Sequence, residues 1–160
     1  MRPFITTTSL LVFVTLFGIG CKTAGSDPTL TPQPTKSVAD IIANKSWKAL
    51  RVQEGTVTVY QDGRSDNIYP GYRNYQLTFT GQKVKLTEFT GEVFDGDWTA
   101  LDNSSRTYLA LRNLTPTPTN SGGTVEFDVN SFSDTQVVIT ASKPNLKTGN
   151  TINVYTLIPR

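Results

Sequence analysis

Tyr75-Gln76-Leu77-Thr78-Phe79-Thr80-Gly81-Gln82-Lys83-Val84-Lys85-Leu86-Thr87 decides how this chain is read. Tyr75, Leu77, Phe79 and then Val84 and Leu86 alternate with Gln76, Thr78, Thr80, Lys83 and Lys85. Successive strand side chains point to opposite faces, so this alternation buries one face and wets the other. Gly81-Gln82 is then a tight turn between two antiparallel strands.

Outward from this hairpin the same pattern repeats. From Ser46 to Ile158, short β-branched and aromatic runs are separated by Gly, Pro, Asn, Asp and Ser. Eight strands are predicted: Ser46–Tyr60, Asn74–Thr80, Lys83–Phe89, Val93–Leu101, Arg106–Asn113, Thr124–Asn130, Thr135–Ser142 and Thr151–Ile158. The first is long and must bend at Glu54-Gly55, where glycine permits a bulge. Split there into a hairpin, it would make nine strands. A meander closes antiparallel only with an even count, which favours eight. The fold class is therefore all-β: an eight-stranded antiparallel up-and-down barrel with a short N-terminal helix.

That helix begins at Ser37-Val-Ala-Asp40, where Ser37 caps the free N–H groups and Asp40 completes a capping box. Val38, Ile41 and Ile42 share one face, and Asn44 ends the turn. Connections of the meander alternate between its two ends. Residues 61–73, 90–92, 114–123 and 143–150 fall on one end, and the tight 81–82, 102–105 and 131–134 on the other, beside the helix. This pattern predicts a covered end and a mouth. Closing the turn after Leu101 against Arg106 sets Trp98 opposite Leu109. The last two strands are ambiguous: Val137-Val138-Ile139 is apolar on both sides, and Tyr155 and Leu157 compete with Val154.

The N-terminus says where the protein works. Arg2, the apolar run Leu10–Phe17, Gly18-Ile-Gly20 and Cys21 follow the order of a secretory signal. The run is shorter than the ~20 residues a spanning helix needs. Residues 1–20 read as the signal peptide. Residues 21–35, small, polar and rich in proline, read as a solvated tether. Residues 36–160 form the barrel domain. About 14 extended tether residues reach up to ~45 Å.

Composition narrows the chemistry. The chain of 160 residues has a formal net charge of +2, and Arg2 is the one charged residue among the first twenty. No basic stripe exists for nucleic-acid phosphates. Histidine is absent and Cys21 is the one cysteine. That removes the commonest general base and metal ligand and every Ser-His or Cys-His constellation. No catalytic residue, metal site or cofactor is predicted, and the chain reads as a non-enzyme.

Ile19-Gly20-Cys21 resembles the lipobox of bacterial lipoproteins, which implies acylation at Cys21, cleavage before it and a lipid anchor. The helix leading into Asn44-Lys-Ser-Trp47-Lys, the 75–87 hairpin, Gly96-Asp-Trp98-Thr-Ala-Leu and the closing Val154-Tyr-Thr-Leu-Ile-Pro159 resemble the lipocalin-like lipoproteins of bacteria. The resemblance spans residues 37–160. It implies a calycin-type barrel that binds a small hydrophobic ligand. Lys45 stands where the narrower lipocalin signature has glycine, two residues before the first-strand Trp. The wider fold often lays an Arg across that Trp, and Arg160 would emerge at that end. Lys22 after the lipid site implies an outer-membrane anchor facing the periplasm.

Two functions follow as expectations. One is a membrane-anchored binding protein for a small hydrophobic or amphiphilic ligand, entered through the long-loop end. The other is a scaffold lipoprotein with a filled barrel, contacting a protein partner through its Tyr-rich loop or last strands. Tyr69, Tyr72 and Tyr75 stand at the mouth side as lid or as packing for the long loop. Phe94 and Trp98 line a pocket or fill the core. Arg112 pairs with a carboxylate ligand if Tyr108 and Ala110 face inward, though the preferred register points it outward. Glu88, Glu92, Asp95 and Asp97 could form a carboxylate pair or a calcium loop, against a solvated charged turn.

Overall fold

The structure is a computed structural model that describes residues 36–102 and 105–160. The expected signal segment, lipidated Cys21 and tether (residues 1–35) lie outside the described residues. The described residues belong to one compact unit.

The order is α1 (Val38–Ile42), β1 (Ser46–Glu54), β2 (Val57–Gln61), a 3-10 turn at Pro70–Asn74, β3 (Gln76–Thr80), β4 (Lys83–Thr87), β5 (Val93–Asp102), β6 (Thr107–Thr115), β7 (Val125–Phe132), β8 (Val137–Ala141), a 3-10 turn at Leu146–Thr148, and β9 (Asn153–Pro159). Each strand from β3 on pairs antiparallel with the next, and β9 returns to β1 over Trp47–Glu54 to close the barrel. The wall is the expected eight-position antiparallel barrel.

The first segment differs from expectation. Gly55, at a φ of 59°, and Thr56 turn the chain back, so residues 46–60 form a hairpin and the sheet holds nine strands. A left-handed φ suits glycine because it has no Cβ to clash. The wall still has eight positions because β2 and β3 share one. β2 lies opposite Arg51–Glu54 and β3 opposite Ser46–Lys48, both antiparallel to β1. Even parity is preserved by one split position.

Residues 62–75 therefore leave the wall half-way down rather than at the mouth. They fold back along β2, where the Tyr69 N–H donates to the Val59 carbonyl at 3.1 Å. The Asn67 side chain accepts from Gln61 N at 2.6 Å and donates to Gln61 O at 3.0 Å, as a neighbouring strand would. Unpaired edge groups are costly when buried and sticky when exposed, so this pairing protects the end of β2. The 3-10 turn fits against the loop after β4 so closely that a Cβ on Gly71 would lie 2.7 Å from the Phe89 carbonyl oxygen.

At the closed end, α1 has the expected capping box and buries Val38, Ile41 and Ile42. Asn44, at a φ of 55°, ends it and accepts from Gly81 N, tying the helix to the β3–β4 turn. Lys36 and Lys45 both reach Asp134 in the β7–β8 turn. Trp47 is buried beneath Lys45, whose Nζ lies 5.8 Å from its ring. The cation over the first-strand Trp thus belongs to Lys45. Arg160 does emerge at this end, and its side chain donates to Gln76 Oε1 instead.

The ambiguous strands resolve inward at Val137, Ile139, Asn153, Tyr155 and Leu157. Trp98 lies opposite Leu111, two residues beyond the expected Leu109. An even displacement leaves both side chains on their expected faces. The barrel interior is filled by its own side chains: Trp47, Leu77, Phe79, Leu86, Leu109, Leu111, Ile139 and Leu157 are all fully buried.

Candidate binding site

The loops 88–92, 116–124 and 142–152 stand at the end opposite α1. Between them lies a cavity of about 110 Å³. Tyr75, Tyr155, Phe127 and Leu86 contribute its barrel side, and Pro118–Ser121 and Lys143–Lys147 its loop walls. Strand alternation places the first group. Tyr155 faces inward between Asn153 and Leu157, and Phe127 two residues before Val129.

The aromatics under the cavity form one cluster. Tyr75 stacks on Tyr155 with centroids 4.4 Å apart and planes at 15°. Phe127 meets Tyr155 edge-on at 6.0 Å, and Tyr72 lies 4.8 Å from Phe89. Offset-stacked and edge-on pairs suit the ring quadrupoles. Tyr75, Tyr155 and Phe127 of this cluster line the cavity on its barrel side.

A buried polar knot anchors the β8–β9 loop to the same place. Asn153, with no exposed surface, accepts from the Thr148 and Thr151 hydroxyls at 3.1 and 2.8 Å. Its amide donates to the Tyr155 and Tyr72 hydroxyls at 3.2 and 3.4 Å. Tyr72 in turn donates to Glu54 at 2.8 Å. Every donor and acceptor site of the Asn153 amide is thereby used. Burial, with the nearby Tyr155 and the Glu54 carboxylate, raises the Tyr72 pKa far above its ordinary value, so the phenol is held protonated. Burial does the same to Tyr155 despite the Asn153 hydrogen bond.

Across the mouth, Lys147 Nζ lies 2.6 Å from both Glu88 and Glu92. Burial disfavours its charge, but these hydrogen bonds outweigh burial and raise its pKa. Hydrogen bonds from Lys147 and Thr90 hold Glu92 below its usual value. The acidic quartet seen in the sequence is spread over separate ion pairs: Asp95 faces Lys85 and Asp97 faces Lys83. Among the described residues no group of three or more His, Cys, Asp or Glu could hold a metal ion.

The expected site residues do not stand together. Tyr75 lines the cavity. Tyr72 is buried behind it in the knot. Phe94 is core, opposite Leu86, with Lys147 Nζ 5.9 Å from its ring. Tyr69 is 46% exposed on the segment over β2. Trp98 and Arg112 each take one of the two alternatives open to them. Trp98 donates to the Gly81 carbonyl at the closed end, packs partly buried against the core, and does not line the mouth cavity. Arg112 points outward toward Glu126 at 3.8 Å, as its preferred register has it, because Leu111 and Leu114 take the interior on either side of the bulge at Asn113. Sequence reading missed Tyr155, Phe127, Asn153 and Lys147 as parts of the site. The alternation of β9 pointed to Tyr155. Nothing local marked Lys147, whose partners lie 55 and 59 residues away.

No family model and no curated protein matches the chain. Two solved structures are similar in fold. One is a lipocalin-like protein from Bacteroides uniformis, at TM-score 0.40 and 14% identity, covering 74% of this chain and 97% of that one. The other is an uncharacterized protein from Bacteroides eggerthii, at TM-score 0.39 and 13% identity, covering 72% and 98%. At those scores neither carries an argument, and the barrel rests on its strand pairing.

Proposed function

We propose that this protein is a lipid-anchored binding module of the cell envelope, without catalysis, that holds a small hydrophobic or amphiphilic ligand at the long-loop end of its barrel. The observation that carries the reading is the cavity of about 110 Å³ floored by Tyr75, Tyr155, Phe127 and Leu86. Apolar walls with a few convergent polar groups are the usual make-up of a small-molecule site. The filled interior confines the ligand to the mouth. Anchoring through Cys21, with the barrel facing the periplasm from the outer membrane, follows from the lipobox-like order of the N-terminus.

The test uses the barrel unit, residues 34–160, whose strands close on one another around their own core. Native and denatured masses are compared after exposure to a bacterial lipid extract. A few hundred extra daltons in the native spectrum, lost on unfolding, are the expected result. A bare mass after exposure removes the carrier reading. Ile68 and Tyr69, 58% and 46% exposed beside β2, favour the second reading, a scaffold with a protein partner. Cys21→Ala in the full chain should abolish incorporation of labelled fatty acid.

A further inference from the structure

Seven large apolar side chains stand exposed among the described residues, and six of them lie toward the mouth end. Val57 opens β2 just after the β1–β2 turn, and the Ile152 carbonyl accepts from Gly55 N in that turn at 3.0 Å. Ile68 and Tyr69 run along the mouth-side half of β2, Val93 opens β5 after the 88–92 loop, and Leu146 stands on the 142–152 loop. The seventh, Leu101, is near the other end of β5. Apolar side chains scattered singly over a surface are ordinary, but gathered at one end they mark a contact. The wall below is polar instead, with Lys83–Asp97, Lys85–Asp95 and Arg112–Glu126 paired across the outside of β4 to β7.

The spread of these side chains favours a lipid surface over a rigid partner. They stand on four separate segments, so a deformable apolar phase meets all of them without a matching pocket. The charges agree. Glu88 and Glu92 are held by Lys147, Glu126 by Arg112, and Glu54 by the Tyr72 hydroxyl. Arg73 and Lys143 are exposed at this end and in no ion pair among the described residues. Aliphatic and tyrosine side chains beside uncommitted cations are the make-up of a surface that settles among anionic headgroups. The anchor expected at Cys21 keeps a bilayer close. About 14 extended tether residues reach up to ~45 Å, beyond the ~33 Å of a ten-residue strand such as β5.

We infer that the mouth rim docks on the lipid bilayer that carries the anchor, with the six apolar side chains among the headgroups and Arg73 and Lys143 on anionic lipid. The cavity then opens toward the membrane. The inference rests on the anchored binding reading and adds the surface from which the ligand is taken.

The experiment uses the barrel unit, which lacks the one cysteine of the chain, Cys21, and so accepts single labels. Ile68→Cys, Val93→Cys and Leu101→Cys each carry the environment-sensitive fluorophore NBD and are mixed with vesicles of phosphatidylethanolamine and phosphatidylglycerol. Emission at 68 and at 93 should rise about three-fold with a blue shift, while that at 101 stays nearly constant. Ile68→Ser with Tyr69→Ser should lower vesicle co-sedimentation about ten-fold, and Leu101→Ser should leave it within about two-fold. Circular dichroism and thermal melting check that each variant is folded. No response at either rim position, a response at one alone, or an equal response at 101 overturns the docking. A dimer in sedimentation that the Ile68→Ser, Tyr69→Ser variant loses also overturns it, since the rim then covers a second copy. Native-mass uptake from a lipid extract separates the two readings: uptake without vesicle contact overturns the docking alone, and vesicle contact without uptake upholds it while removing the carrier.

Discussion

The two ends of this barrel are built from different chemistry. The closed end is held by apolar burial. α1 lays Val38, Ile41 and Ile42 against the barrel, Trp47 and Phe79 are fully enclosed, and the ion pairs of Lys36 and Lys45 with Asp134 stay at the surface. The mouth end buries polar groups: Glu54–Tyr72–Asn153–Tyr155 inside, and Lys147 between Glu88 and Glu92 above. Burying apolar surface is favourable wherever it happens, whereas a buried polar group costs free energy unless it is partnered. Such networks fix geometry at some expense in stability. The closed end therefore supplies stability and the mouth end supplies shape.

That contrast is breakable, most sharply at Trp47. Trp47→Ala should destabilise the barrel by about 3–5 kcal/mol, the cost of an unfilled aromatic site in a packed core. Chemical denaturation measures it, and a loss under 1 kcal/mol would mean the closed end is not the stabilising half. At the mouth, Asn153→Ala removes the centre of the knot and leaves the Thr148, Thr151 and Tyr155 hydroxyls to find other partners. The expected loss is roughly 2–3 kcal/mol. Exchange of the 146–152 amides should rise in this variant, while α1 and its surroundings stay protected. Loosening of both ends together would show that the two are one cooperative unit.

Tyr75→Phe should have a small effect of opposite sign. Its hydroxyl is buried with no hydrogen-bond partner, and removing it should leave stability unchanged or raise it by up to about 1 kcal/mol. A clear loss would mean that the hydroxyl is bonded after all. The smallest effect is local and follows pH. Glu92 has a lowered pKa, so its contribution is present above the ordinary value of 4.5 and is lost as pH falls through the folded one. Lys147 has a raised pKa, so its contribution is present below 10.5 and is lost as pH rises through the folded value. Amide protection of residues 146–148 should be greatest between those limits and fall at both edges, and Lys147→Met should flatten the profile. An unchanged profile in that variant would remove the Lys147 bridge as a tie between the loops.

The two ends were also unequally legible in the sequence. Ser37, Asp40 and the apolar face of α1 are a local signal, and they form as read. The hairpin of Tyr75–Thr87 is equally local, and its strands pair with the register its turn imposes. At the mouth, three tyrosines close together in sequence suggested a site, yet they go to three places: exposed surface, buried knot and cavity floor. The turn of Gly71 against Phe89 and the return of residues 62–69 along β2 separate them.

The amino-acid sequence by itself determined that residues 36–160 make an all-β barrel, where most strands run, which end α1 covers and which end carries the long loops. Those properties follow from period-two alternation, capping and turn chemistry, all of which act within a few residues. Only the tertiary structure decided that β2 and β3 share one wall position, that the interior is filled, and that Lys147 meets Glu88 and Glu92. Side chains far apart in the chain meet only when the wall has closed, and packing density then decides whether the space between them is core or cavity.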